Sequence, residues 1–412
     1  MSETDKDKDN DKKDPEIMVL PSGLTLILNH DSTFATTSWS LEVNIGYLTC
    51  LKEENDLPHI VEHLLLARVS LSMPYKNFDE RGFKDSQTWA SGYTSPSNTV
   101  YYGEVPSYDI NSVIEMLSRM VTNPSFKNYA KEYEVLKTEI GNYLDSPARH
   151  RICLLFKAGF GLHRNFLDDV VWKHPSLDKI KKFIKKYYTT SNMTLYIHGN
   201  FNKDDLVKKI NKEFENTPTK LVPLAPVGIW KPSLQIQKKE ITNSYVGILY
   251  TLPHLNPRHF LVGKIFAYLF RQMMYEEETG IYRREITLMR EFNIETLFIT
   301  FNINPPLVAQ TLSQVIGLFK KKIPSHYKKD FDKLKEDHAF VITLCAKTQL
   351  YERFGVLGAP RLLKESIKSI KWEDIEIFQS YFVNQKPAIA IYGNIDARSI
   401  KQVESFYSKL GE

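Results

Sequence analysis

Apolar and polar positions along the chain fall into stretches of two periods, and the switches between them predict the elements. From Ile17 the segments IMVLPSGLTLILNHD and then SWSLEVNIGYL alternate with period two, which predicts strands. A helix follows, with Asp56 as its N-cap, Pro58 tolerated in its first turn, and Leu64, Leu65 and Leu66 carrying the apolar face onward. A second helical region is expected near Tyr75 to Arg81. The stretch QTWASGYTSPSNTVYYGEV after it holds Thr, Trp, Tyr and Val in strand-like runs. The helical period returns from Ile110 to Val121, stopped by Asn123-Pro124, and again from about Phe126 to Tyr143.

The pattern then repeats. FIKKYYTTSNMTLYIHGNFNKDDL from Phe183 is echoed by FQSYFVNQKPAIAIYGNIDARSI from Phe378, each an aromatic helix end, a polar turn, a strand ending in Gly-Asn and a helix start. Gly199 and Gly393 are the equivalent glycines, and two homologous halves follow. Between them Pro218, Pro223, Pro226 and Pro232 mark an extended linker. The expected division is a disordered charged tail over 1–16, a first domain over 17–216, a linker over 217–232 and a second domain over 233–412. The expected fold class is α+β, with a mixed sheet covered by helices in each half.

Composition narrows the function. At 412 residues with 42% hydrophobic and 12% aromatic positions, the chain can bury two sizeable cores. Its 54 basic and 49 acidic residues leave a formal charge of +5 with no dense basic block, so nucleic acid is not an expected partner. Cys50, Cys153 and Cys345 are odd in number and far apart, which argues against a disulfide framework or a thiolate-held metal and fits a reducing compartment. The tail holds no apolar core of a signal or presequence, and no run approaches about 18 apolar residues. A soluble, cytoplasmic protein with no membrane partner is therefore expected.

The chemistry lies in the predicted helix after Asp56. His59 and His63 stand at i and i+4, with Glu62 on the same strip, in the spacing His-x-x-Glu-His. Two neutral imidazoles one turn apart can hold one zinc ion, and a neighbouring carboxylate that is not a ligand can take a proton from its water. A third ligand is needed. Of the acids in the helix from Phe126, Glu134 is flanked by Lys131 and Lys137 and reads as a paired surface residue. Glu139 sits on a stripe with Val135, Leu136 and Tyr143, and Glu132 shares that stripe. Buried carboxylates need a metal, a cation or a hydrogen bond. Glu139 is assigned as the third ligand and Glu132 as the acid that orients a ligating histidine.

With HIVEH at 59–63 and EYEVLKTEI ending just past Glu139, the chain resembles the pitrilysin/insulinase family of inverted zinc peptidases. The stretch Phe183 to Phe214 resembles the closing strand and helix of that family's first domain. The resemblance implies a sheet with helices on one side in each domain, half of a clamshell dimer, and Zn2+ hydrolysis of peptides enclosed in the chamber. It also implies an edge strand that pairs with substrate, here TWASGYTSPSNTVYY with Ser91-Gly92 where Asn-Ala is usual. In the second domain it implies an Arg and, seven residues later, a Tyr that hold the substrate carbonyl; LFRQMMYEEETGIYRRE puts Tyr275 and Tyr282 there. The absent Arg favours a homologous partner that supplies the pair, a heterodimer ahead of a homodimer. A non-catalytic structural or peptide-binding subunit is the alternative.

Overall fold

A parallel pairing between strands far apart in sequence sets each of the two sheets. The computed structural model describes residues 16–55, 57–72, 89–161, 174–215, 217, 229–277, 280–291, 294–337 and 366–411. The expected disordered tail to residue 15, Asp56 as N-cap, the helix near Tyr75 to Arg81 and most of the linker lie outside them. Glu16, assigned to the tail from its composition, opens the first strand, because its backbone pairs with Leu28 and its side chain with Lys203.

The first sheet contains β1 (Glu16–Val19), β2 (Thr25–His30), β3 (Thr36–Val43), β4 (Trp89–Thr94), β5 (Thr99–Pro106) and β6 (Met193–Gly199) in the order β1-β2-β6-β3-β5-β4. Only β2 and β6 run parallel. Its helices are α1 (Leu57–Ser72), α2 (Ile110–Thr122), α3 (Tyr129–Leu144), α4 (Pro147–Phe160), α5 (Leu177–Tyr187) and α6 (Lys203–Phe214), of which α4 leaves this sheet. Period and burial agree residue by residue. In β6, Met193, Leu195 and Ile197 are buried while Thr194, Tyr196 and His198 take the other face. In α5, Ile180, Phe183, Ile184 and Tyr187 form the buried stripe, and Ser176 caps the helix by accepting from the Lys179 N–H.

The second sheet contains β7 (Leu234–Lys238), β8 (Ser244–Leu252), β9 (Tyr282–Glu291), β10 (Ile294–Ile303) and β11 (Ala388–Gly393) in the order β7-β11-β8-β10-β9, with β7 and β11 parallel. This is the order of β2-β6-β3-β5-β4, so the internal repeat is a repeat of topology. Gly199 and Gly393 end equivalent strands with φ of +136° and +129°, and a Cβ would meet the Thr36 carbonyl at 2.5 Å and the Asn243 carbonyl at 2.3 Å. Asn202 and Asp396 then cap equivalent helices, α6 and α11 (Ala397–Ser408).

One face of the second sheet packs on α7 (Pro257–Glu276), α8 (Val308–Gly317), α9 (Lys328–Glu336), α10 (Trp372–Ser380) and α11 through Ile248, Phe266, Ile299, Val315 and Ile391. The other face receives α4, whose Leu154, Leu155, Phe156 and Phe160 pack on Leu249, Phe298, Ala388 and Ala390. Contacts accordingly divide the chain into two compact units, one running to Gly141 and resuming from Val170 to Pro226, the other taking Asn142–Asp169 and the chain from Val227. Among the described residues no helix is long and apolar enough to cross a membrane.

Candidate metal centre

Helix α1 is fixed before its chemistry begins. Leu57, Ile60, Val61, Leu64 and Leu65 are each at most 2% exposed, and the helix contacts β4, β5, α2 and α5. The remaining strip carries His59, Glu62 and His63. The two imidazoles are 4.9 Å apart between ring centres and inclined by 68°. Their side chains are only 12% and 13% exposed.

Helix α3 brings the third donor. Glu139 Oε2 lies 3.6 Å from His59 Nε2 and 3.4 Å from His63 Nε2. Bonds of about 2.0–2.1 Å to one tetrahedral ion place its donor atoms about 3.4 Å apart, and the Glu139 carboxylate stands at that separation from each imidazole. His59, Glu62 and His63 also form a compact cluster of donor atoms within 4.8 Å of one another, with Glu62 Oε2 3.7 Å from His59 Nε2. Glu139 Oε2 faces both Nε2 atoms at once, whereas Glu62 Oε2 approaches that of His59.

Glu132, one heptad before Glu139, faces the other nitrogen of His63, its Oε2 3.7 Å from Nδ1. That separation exceeds a hydrogen bond but has the sense required of an acid that orients a ligating imidazole. The stripe expected to bury both acids is only partly formed. Glu132 is 15% exposed, but Glu139 is 40% exposed and Val135 39%. The physical reason is that Leu136, Ile140 and Tyr133 supply the buried face of α3, and Glu139 stands at its rim where the site meets water.

Glu62 is 4% exposed. Burial, with the Glu139 and Glu132 carboxylates adding to it, pushes its carboxyl up to about 8. Two residues stand beside Glu62 in a way the sequence does not announce: Gly92, expected only on the substrate edge, and Tyr101. Gly92 on β4 sits under it so closely that a Cβ would lie 2.8 Å from Glu62 Oε1. Tyr101, opposite Gly92 in the β4–β5 pairing, is fully buried and shares a 2.8 Å hydroxyl contact with Tyr188. Burial raises both phenols, and the Glu62 charge adds to each.

Among the described residues β4 is the terminal strand of its sheet, which puts Ser91 and Gly92 on an edge, while Thr88 is outside the described residues. The structure therefore brings together His59, Glu62, His63, Glu132, Glu139 and Gly92. Tyr275 and Tyr282 belong to the second unit, 50% and 38% exposed. Arg284 stacks its guanidinium 3.4 Å over the Tyr275 ring and donates to the Met274 and Ile281 carbonyls.

Comparison with known proteins decides the family. The profile described as "Insulinase (Peptidase family M16)" matches residues 25–166, which hold the whole site, and that of the "Peptidase M16 inactive domain" matches residues 176–283. The chain belongs to the insulinase family of peptidases. Among insulinase-family relatives, an insulin-degrading enzyme homolog of Dictyostelium discoideum is 26% identical over 55% of this chain and 24% of its own length. This chain thus spans about a quarter of that relative. An uncharacterized zinc protease of Rickettsia felis is 22% identical over 94% of this chain and 99% of its own. The crystal structure of a protease from Helicobacter pylori shares the fold with a TM-score of 0.73 at 14% identity, covering 92% of this chain and 99% of that one.

Proposed function

We propose that this chain is a zinc-dependent endopeptidase acting on peptides or unfolded segments. The observation that carries the reading is the approach of Glu139 Oε2 to both His59 Nε2 and His63 Nε2, at 3.6 and 3.4 Å, with a separate buried carboxyl, Glu62, beside them. His59, His63 and Glu139 would hold Zn2+, which when bound makes water a nucleophile near neutral pH and polarises a carbonyl. Glu62 accepts the proton of the attacking water and returns it to the departing amine. Its carboxyl, raised by burial and by the Glu139 and Glu132 carboxylates, suits the second half of that cycle. Glu132 steadies His63 from the Nδ1 side.

The substrate backbone is proposed to add to the free edge of β4 at Ser91 and Gly92, which is supported by the position of Gly92 against Glu62. Tyr275 and Tyr282 are proposed to line the substrate path, with a homologous subunit closing a clamshell chamber and supplying the Arg that Tyr275 replaces. A reducing compartment, the cytoplasm, accords with the thiols Cys50 and Cys153.

A second reading, a non-catalytic or peptide-binding subunit, draws on the missing Arg and on the match of residues 176–283 to the inactive-domain profile. One experiment separates the two. The purified chain is expected to carry one zinc by elemental analysis and to cleave peptides in a chelator-sensitive manner. Glu62→Gln is expected to keep the zinc and lose about 10²–10⁴-fold in kcat. A wild-type chain that holds zinc but cleaves nothing rejects the enzyme reading, and a Glu62→Gln protein as fast as an active wild type rejects Glu62 as the base.

A further inference from the structure

Helix α4 lies on the open face of the second sheet, and the start of that helix carries an unmet demand for an anion. Strand register sets Tyr282, Asn302, Tyr245 and Tyr392 in one row across β9, β10, β8 and β11. Neighbours in a row share a face, and the intervening Val246, Phe301 and Ile391 turn to the helix-covered core on the other side. His150, in the first turn of α4, stacks on Tyr392 with ring centres 4.7 Å apart. Arg151 runs over Gly247, two residues along β8 from Tyr245, its Cγ 3.4 Å from where a Cβ would stand.

Arg151 and Asn302 are polar side chains buried on this face. Arg151 is 6% exposed and Asn302 4%. Arg151 Nε is closed off from solvent with nothing to donate to. Glu285 and Tyr245 act on Arg151 only at a distance; burial outweighs them and holds the guanidinium down at about 10. A buried guanidinium N–H left unsatisfied is expensive, and an acceptor with two oxygens would satisfy it and take a further hydrogen bond from the Asn302 carboxamide. The surroundings favour negative charge. The first turn of α4 holds no acid, and Arg149 and Arg151 add to the positive end of its dipole.

We propose that Arg151 and Asn302 form a carboxylate-binding site on the α4 side of the second sheet, flanked by Tyr245 and Tyr392, and that it takes a carboxylate of the bound peptide. The ligand class rests on the peptide-hydrolysing reading; the anion site does not. The carboxylate comes either from the peptide's C-terminus or from an acidic side chain.

Binding is measured by calorimetric titration on the Glu62→Gln chain, in which peptides stay intact. The probes are acetylated Ala/Ser hexapeptides. One pair ends in a free carboxylate or an amide; a second, amide-capped pair carries an internal Glu or Gln. In at least one pair the acid is expected to bind about tenfold more tightly than its neutral partner, and the pair that discriminates identifies the source. Arg151→Met is expected to abolish the preference while leaving the neutral peptide unchanged, and Asn302→Ala, which leaves α4 untouched, to weaken it about threefold. Equal binding of acid and neutral probes, no binding of any, or a preference that survives in both variants overturns the site. An Arg151 that serves only as a strut for Glu285 gives the first of these. Since cleavage is not read, a chain that hydrolyses nothing would sink the peptidase reading and leave this result standing.

Discussion

At the residue scale the site depends on one missing side chain as much as on those present. The notional Cβ of Gly92 lies 2.8 Å from Glu62 Oε1 and 3.2 Å from the Val100 carbonyl, so any larger residue pushes the Glu62 carboxyl out of place. Gly92→Val suits an extended strand and should fold. It is expected to keep its zinc and to lose about 10²-fold in kcat, because a misplaced base costs rate and not metal. A Gly92→Val protein changed only in KM would show that Glu62 is not held by this contact. His59, Glu62 and His63 were legible because a helix fixes i, i+3 and i+4 on one strip whatever the fold. Glu139 needed the family's spacing as well, and its 40% exposure could not be foreseen from a stripe containing Val135, itself 39% exposed. Arg151 was not legible, since a basic residue next to Arg149 and His150 near the start of a helix ordinarily signals a solvated face.

At the scale of elements, α1 is tied to the rest of its unit just ahead of its first turn. Glu54 accepts from the Tyr187 hydroxyl at 2.6 Å, from Lys186 Nζ at 2.9 Å and from the Leu51 N–H at 3.2 Å, which binds the entry of α1 to the end of α5. Burial alone would raise the Glu54 carboxyl, but these donors outweigh it and hold it below its ordinary 4.5. A carboxyl lowered in the folded state contributes stability above its unfolded value and loses that contribution as pH falls through the folded one. Glu54→Gln is therefore expected to cost about 1–2 kcal/mol at pH 7, with the gap in Tm closing below about pH 4. A gap that persists at low pH would mean that shape and not charge fixes the turn. The edge strand gives a second test. Ser91→Pro removes an N–H from β4 and is expected to raise KM at least about tenfold with zinc retained, whereas an unchanged KM would place the substrate elsewhere. The repeated strand-Gly-Asn-cap unit was readable from local pattern, as its glycines at φ of +136° and +129° confirm. The sheet order was not, because β2–β6 and β7–β11 pair residues that are distant in sequence. Likewise nothing in the local pattern says on which sheet α4 packs.

At the scale of the whole molecule, completeness of the chain as a catalyst turns on the segment Leu269 to Glu285. The family pattern asks for an Arg seven residues before Tyr282, and Tyr275 occupies that place. A local substitute is available in sequence, since Arg284 is near, but its guanidinium is committed: it covers the Tyr275 ring at 3.4 Å and donates to Met274 O at 2.8 Å and Ile281 O at 2.7 Å. Releasing it would expose the ring and strand two carbonyls. Arg283 stands at φ +48°, a conformation set by the bend at the start of β9. The carbonyl-holding cation is accordingly proposed to come from a second, homologous chain. Positioning of the substrate carbonyl is worth orders of magnitude in rate, so the chain alone should bind one zinc per molecule and turn over slowly. Adding the partner is expected to raise kcat/KM at least about 10²-fold at unchanged zinc content, and Arg284→Lys should leave that gain intact. Full activity from a homodimer, or its loss in Arg284→Lys with the fold preserved, would place the cation on this chain.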